Sequence, residues 1–137
     1  MSQLNLTNNL TTINPPPRQS EDLPILVLLK ESYLLWHSFL LNLPRFARYT
    51  LGEKIDGQFI NILEITLTAR YAKREDKLAF LLELSKKLDN LKFFVTLMWE
   101  AKGMDAGKYG QLSQKLASVG RMLGKWLQKI QTEQNNH

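Results

Sequence analysis

Apolar residues recur every three to four positions along four stretches of this chain, and each stretch reads as an amphipathic helix. In the first, Pro24 to Leu43, residues Leu26, Leu29, Tyr33, Trp36 and Leu40 share a face; Pro24 suits a first turn and Pro44 stops the run. The second begins near Leu51, where Thr50-Leu51-Gly52-Glu53 has the form of a capping box. There the hydroxyl and the carboxylate would each satisfy a free backbone donor. Its interior, Gln58 to Thr68, is rich in Ile and Thr and has the composition of a strand. Neither alternate set stays apolar, whereas Leu51, Ile55, Phe59, Ile62 and Ala69 follow a helical face, so period decides over propensity. The third stretch, Glu75 to Ala101, carries Leu81, Leu84, Leu88, Leu91, Val95 and Met98 and is ended by Gly103. The fourth, Ala106 to Thr132, carries Leu112, Leu116, Val119, Leu123, Trp126 and Ile130, with Asp105 as its cap. Four helices with short connections predict an all-α chain folded as an antiparallel four-helix bundle.

Two departures from simple stripes add to this picture. Leu82, Phe93 and Leu97 lie off the stripe of the third helix by about a quarter turn or more. A helix apolar on two sides is covered on two sides, and in a small bundle the second cover is often another subunit. On the fourth helix, Ser113, Ala117, Gly120 and Gly124 form a strip of small residues along which another backbone could come close. Glycine inside a helix costs about 1 kcal/mol relative to alanine, so two within one turn point to a contact that offsets the cost.

Charge changes the reading of that same helix. It carries Lys108, Lys115, Arg121, Lys125 and Lys129 and, from Ala106 to Thr132, no Asp or Glu; the formal net charge of the whole chain is +5. The five cations fall within about 140° of arc beside the apolar stripe, so one side packs and the side beside it attracts anions. A second group, Arg70, Lys73, Arg74 and Lys77, lies at i, i+3, i+4 and i+7 if the helix continues, and otherwise at the turn between the second and third helices. Glu75 and Asp76 partly cancel it, and Arg45 and Arg48 make a smaller patch. A pI near 9.5 favours polyanionic partners.

At 137 residues the chain is one domain with room for a real core. It has no Cys, which excludes zinc fingers, iron–sulfur clusters and thiol chemistry and fits a reducing, cytoplasmic setting. With two His and no His/carboxylate cluster, neither a metal site nor a cofactor is assigned. His37, beside Trp36, reads as a partly buried structural imidazole. Glu64, Glu83 and Glu100 are scattered, no Ser or Thr is matched with a His base and an orienting carboxylate, and no Gly-rich phosphate loop occurs, so the chain is not read as an enzyme. Residues 1–22 are polar and end in a Pro-rich stretch, which reads as a disordered or loosely attached tail; residues 23–132 make the bundle and 133–137 a frayed end. The run Leu23 to Leu43 is about long enough to cross a bilayer, but Lys30 and Glu31 would each cost about 2.5–3.5 kcal/mol at its centre, so no membrane span is expected.

Three segments carry a family likeness: Phe46-Ala47-Arg48-Tyr49-Thr50-Leu51-Gly52, then Lys87-Leu88-Asp89-Asn90-Leu91-Lys92, then Val119-Gly120-Arg121-Met122-Leu123-Gly124-Lys125-Trp126. In this order the chain, from about Leu23 to Ile130, resembles the accessory variability determinant (Avd) family, encoded beside the reverse transcriptases of diversity-generating retroelements. The four-helix-bundle proteins of ribosomal RNA intervening sequences are similar in architecture. The resemblance implies a non-enzymatic homo-oligomer, typically a pentameric barrel of bundles, whose basic exterior binds RNA or RNA/DNA hybrid. It also implies a reverse transcriptase partner and support of mutagenic cDNA synthesis. Residue by residue, Lys92 stands at a position commonly basic in the family, while one turn on, where a second basic residue can occur, this chain has Thr96. Arg121 matches the basic residue after Gly120, with phosphate contact or a salt bridge as its role. Gly120, Gly124 and Trp126 match as packing residues. Two other readings of the residues remain: a structural oligomer whose cations are ordinary surface charge, and membrane association through the basic fourth helix.

Overall fold

The computed structural model describes residues 23–135; the expected tail, residues 1–22, lies outside them, as do the last two residues. The described residues form five helices: α1 (Pro24–Leu40), α2 (Arg45–Arg48), α3 (Leu51–Tyr71), α4 (Arg74–Glu100) and α5 (Ala106–Asn135). They contain no strand, and the Ile- and Thr-rich middle of α3 is helical throughout. Four of the five are the helices that the periodicity predicts. The one-turn α2 is an addition, because four residues are too few to display a period.

The ends of the helices show where local chemistry overrules pattern. α1 stops at Leu40 rather than Leu43. Pro44 disfavours helical dihedrals at Leu43, and the chain leaves through short turns, with the Asn42 N–H donating to Phe39 O at 2.9 Å and the Leu43 N–H to Leu40 O at 3.3 Å. The capping box at Thr50 does not form: no side chain caps α3. The Thr50 hydroxyl instead donates backwards to Phe46 O at 2.9 Å. The free carbonyls that end α2 compete for that hydroxyl, a local alternative open to any Ser or Thr. Asp105 does cap α5, its Oδ1 accepting the Lys108 backbone N–H at 2.8 Å. That bond, more than the Lys108 ammonium, holds the Asp105 carboxyl below its ordinary range.

α4 ends in a Schellman turn, with the Gly103 N–H donating to Met98 O and the Lys102 N–H to Trp99 O, each at 2.9 Å. The left-handed residue is Lys102, at φ 66°, not Gly103. Gly103 is needed for space instead. A Cβ there would overlap Met98 Sδ and stand 2.9 Å from Ala47 Cβ, where α2 closes against the end of α4. Gly103→Ala is therefore expected to destabilise the fold by about 1–3 kcal/mol, read as a lowered urea midpoint with an unchanged slope.

The long helices share a single apolar core. All six residues of the α4 stripe are at most 2% exposed. On α1 the core face is Ile25, Leu29, Ser32, Trp36 and Phe39, rotated from the expected stripe so that Leu26, Tyr33 and Leu40 are only half-buried. The two buried hydroxyls are satisfied within their own helices, Ser32 donating to Leu28 O at 2.7 Å and Thr66 to Ile62 O at 2.8 Å. Trp36 is fully buried; its indole N–H donates to Asp56 Oδ1 at 3.1 Å and its ring stacks on Phe59. Burial, together with the Asp56 carboxylate, raises the Tyr33 phenol above its ordinary value. His37 is exposed rather than partly buried, its ring 5.9 Å from that of Tyr33. It lies about 100° round the helix from Trp36, and the rotation of the core face carries it outward.

Neighbouring helices touch in opposite chain order. Between α1 and α3, Trp36 meets Asp56 while Tyr33 meets Phe59. Between α3 and α4, Lys54 lies over Phe94 and Ala69 meets Lys77. Between α4 and α5, Thr96 bonds Tyr109 and Arg74 bonds Gln134. Between α1 and α5, Phe39 lies under Lys108 and Glu31 faces Lys115. This ordering sends the start of α1, the α3–α4 turn and the last turns of α5 to one end of the molecule.

Candidate nucleic-acid interface

The five cations of α5 look equivalent in the sequence, and the structure divides them. Lys108, near the first turn, is 3.3 Å from Asp105 Oδ2 and lies over the Phe39 ring. Lys115 is 3.7 Å from Glu31. Arg121 is exposed and donates to Ser118 Oγ at 2.8 Å. Lys125 and Lys129 are exposed and make no ion pair among the described residues. Positive charge is thus partly neutralised along the first half of the helix and open along the second.

The turn cluster gathers at the same end. α3 stops at Tyr71 and α4 starts at Arg74, so Arg70, Lys73, Arg74 and Lys77 surround a turn rather than form one helical stripe. Lys77 closes the end of α3, its ammonium donating to Ala69 O and Arg70 O at 2.8 Å each. Burial, and then the like charge of Arg70, lower the Lys77 ammonium from its ordinary value. Arg70 lies over the Tyr71 ring at 5.4 Å, while Lys73 and Arg74 are exposed. The Gln134 amide donates to the Arg74 carbonyl at 3.3 Å, and Lys129 lies five residues, about 7.5 Å of helix, before Gln134. Lys73, Arg74, Lys125 and Lys129 therefore share one end, offset by Glu75 and Asp76 in the first turn of α4. The opposing order of the helices could have predicted this meeting from the sequence.

Lys92 lies elsewhere, half-buried along the seam between α4 and α5. A Cβ on Gly120 would stand 3.0 Å from its ammonium and 3.9 Å from Leu88 Cδ2. The expected close approach at the small-residue strip is thus made at Gly120 by a lysine side chain and not by a backbone. At Gly124 a Cβ would meet nothing within 4 Å, since this part of the strip turns outward beyond the seam. Gly124→Ala is accordingly expected to stabilise the isolated chain by about 1 kcal/mol, seen as a raised thermal midpoint. A loss of stability or of assembly would place Gly124 in a contact between copies.

The residues expected off the main stripe also divide. Phe93 is 62% exposed and Leu82 49%, whereas Leu97 is half-buried. Trp126 is half-buried too, while Leu112, Leu116, Val119, Leu123 and Ile130 of the same stripe are buried. The indole forms part of a cleft of about 360 Å³ with Lys125 and Lys129, a setting that the apolar period alone had assigned to packing. A polar groove of about 400 Å³ between α3 and α4 is lined by Glu53, Lys54, Gln58, Asn61, Lys87 and Asn90, with the buried Gln58 Oε1 lacking a hydrogen-bond partner. Among the described residues no three His, Asp or Glu side chains gather as a metal site, and no helix is long and apolar enough to cross a membrane.

No curated protein and no solved structure matches the chain. Residues 29–130, well over half of its length, match the family described as bAvd-like. That span runs from the first buried leucine of α1 to the last buried residue of α5, so the match takes in every buried core residue but Ile25, and the chain belongs to the bAvd-like family of accessory proteins.

Proposed function

We propose that this chain is a non-enzymatic, nucleic-acid-binding accessory protein of a diversity-generating retroelement. In this reading it binds the reverse transcriptase and its template RNA in the cytoplasm and supports mutagenic cDNA synthesis. Its membership of the bAvd-like family carries the reading. The gathering of Lys73, Arg74, Lys125 and Lys129 at one end supports it by supplying a phosphate-binding surface. Binding of this kind is dominated by phosphate neutralisation, so log affinity falls linearly with log salt. No membrane takes part.

The opposing order of the helix contacts supports an antiparallel four-helix bundle, to which α2 is an addition. The same reading includes a homo-oligomeric barrel, with five copies as the expected number. Leu34, 62% exposed, stands opposite the core face of α1, Leu41, 85% exposed, lies in the turn just after it, and Phe93 stands out from α4. Large apolar side chains in such places favour a further protein contact. They equally favour the second reading, a structural oligomer that binds another protein and ignores nucleic acid.

Isolation from native cells at moderate and at high salt separates the two. A reverse transcriptase recovered with a discrete RNA, the RNA being lost as salt rises, supports the accessory role. An oligomer recovered without reverse transcriptase or nucleic acid at either salt rejects it.

A further inference from the structure

α1 covers one flank of α5 only as far as its own first residue reaches. Glu31 faces Lys115 at 3.7 Å, so seven residues back along α1 and seven forward along α5 bring Pro24 level with Met122. Trp126 lies one turn further, just past the point where α1 begins, and is half-buried. The resulting cleft, about 360 Å³, has Leu23 and Pro24 as one wall, Met122 and Trp126 as the other, and Lys125 and Lys129 at the rim. Its volume lies near the lower end of small-ligand sites.

An apolar slot with an indole on one side and, at its edge, two cations that make no ion pair among the described residues has the two parts of a single-strand binding site. A nucleobase gains stacking energy on an aromatic ring whatever its identity, and the phosphates on either side of it seek positive charge. Lys125 and Lys129 are one turn apart, about 6 Å along the axis, a spacing that suits successive phosphates of one extended strand. A duplex offers the same phosphates but keeps its bases stacked inside, so it reaches only the rim. An apolar partner would offer the two ammonium groups no counter-charge of its own, which is why the occupant favoured here is a nucleotide and not a hydrophobic peptide.

We infer that the Trp126 cleft is a stacking site for one unpaired nucleobase of a single-stranded nucleic acid, with Lys125 and Lys129 on the flanking phosphates. This rests on the nucleic-acid reading above and adds a preference for unpaired over paired strands. RNA and single-stranded DNA share the chemistry, since neither the ring nor the lysines distinguish a 2′-hydroxyl.

The test titrates the full-length assembly with four probes of equal length: an oligouridylate, an oligothymidylate, an abasic phosphodiester chain and an RNA duplex. Trp126→Leu is expected to weaken binding of both base-bearing single strands about 5- to 150-fold, the loss of one stacked base. It should leave the abasic chain and the duplex unchanged, while Trp126→Phe stays near wild type. A second readout uses Trp99→Phe, in which Trp126 is the only indole not sealed in the core. Its fluorescence should fall when the oligouridylate is added and hold steady with the abasic chain. Equal losses on all four probes, or unchanged single-strand affinity with no quenching, overturn the inference and leave Trp126 as a packing residue. An oligothymidylate that binds and quenches as the oligouridylate does supports a site blind to the sugar, and one that does neither overturns that part. No binding of any probe by the wild type overturns the underlying nucleic-acid reading as well.

Discussion

Replacing Arg121, Lys125 and Lys129 together by Gln is expected to flatten the salt dependence of RNA binding. Each neutralised phosphate contributes about 0.7 to 0.9 to the slope of log affinity against log salt, so three lost contacts lower it by about two to three. At moderate salt this is the largest single effect expected on binding. The matched control is Lys108→Gln with Lys115→Gln. Those ammonium groups already face Asp105 and Glu31 and lie on the half of α5 nearer the opposite end, so their removal should leave the slope nearly intact. The comparison is informative because both variants act on one helix and on one formally continuous basic face. Equal slopes for the two variants would show that the structure's division of that face has no bearing on binding. An unchanged slope in the triple variant would assign the whole face to solvent, in keeping with the structural-oligomer reading.

For stability, Trp36→Ala is expected to cost about 3–5 kcal/mol, the largest effect of any single core substitution considered. The indole is fully buried between α1 and α3, stacks on Phe59 and bonds Asp56, so truncation leaves a cavity where two helices meet and removes a hydrogen bond. In a chain of 137 residues that lowers the thermal midpoint by about 10–20 °C. Trp36→Phe is the milder truncation. It keeps a ring against Phe59 but removes the N–H donor and part of the indole's volume, and because Asp56 is partly open to water the loss should be about 1–3 kcal/mol, smaller than for Trp36→Ala. Urea unfolding at fixed protein concentration measures both, the concentration being held because any self-association would add to apparent stability. A loss of under 1 kcal/mol for Trp36→Ala would contradict the sealed position of the ring.

The contrast between these two experiments reflects how the chain carries its information. Helix existence, the α4 and α5 stripes and the Asp105 cap were legible in the sequence, because each depends on residues within a turn or two of one another and on a period that a single helix displays. The α1 stripe was legible only to within a rotation. Leu26, Tyr33 and Leu40 are as apolar as their neighbours, and the choice between two adjacent faces depends on which one Asp56 and Phe59 of α3 meet. The Thr50 capping box failed for a related reason, since the pattern takes no account of the carbonyls that α2 brings beside the hydroxyl.

By itself the sequence determined an all-α chain with four long helices, a basic fourth helix and a likeness to the Avd family, all of which are properties of composition, spacing and local order. Only the tertiary structure decided which cations remain open, that Lys77 closes α3, that Lys92 lies over Gly120, and that Trp126 opens into a cleft beside Lys125 and Lys129. The last of these depends on where one helix ends relative to another, here the start of α1 against the last turns of α5. Such a relation joins residues about a hundred positions apart and leaves no periodic trace in either segment.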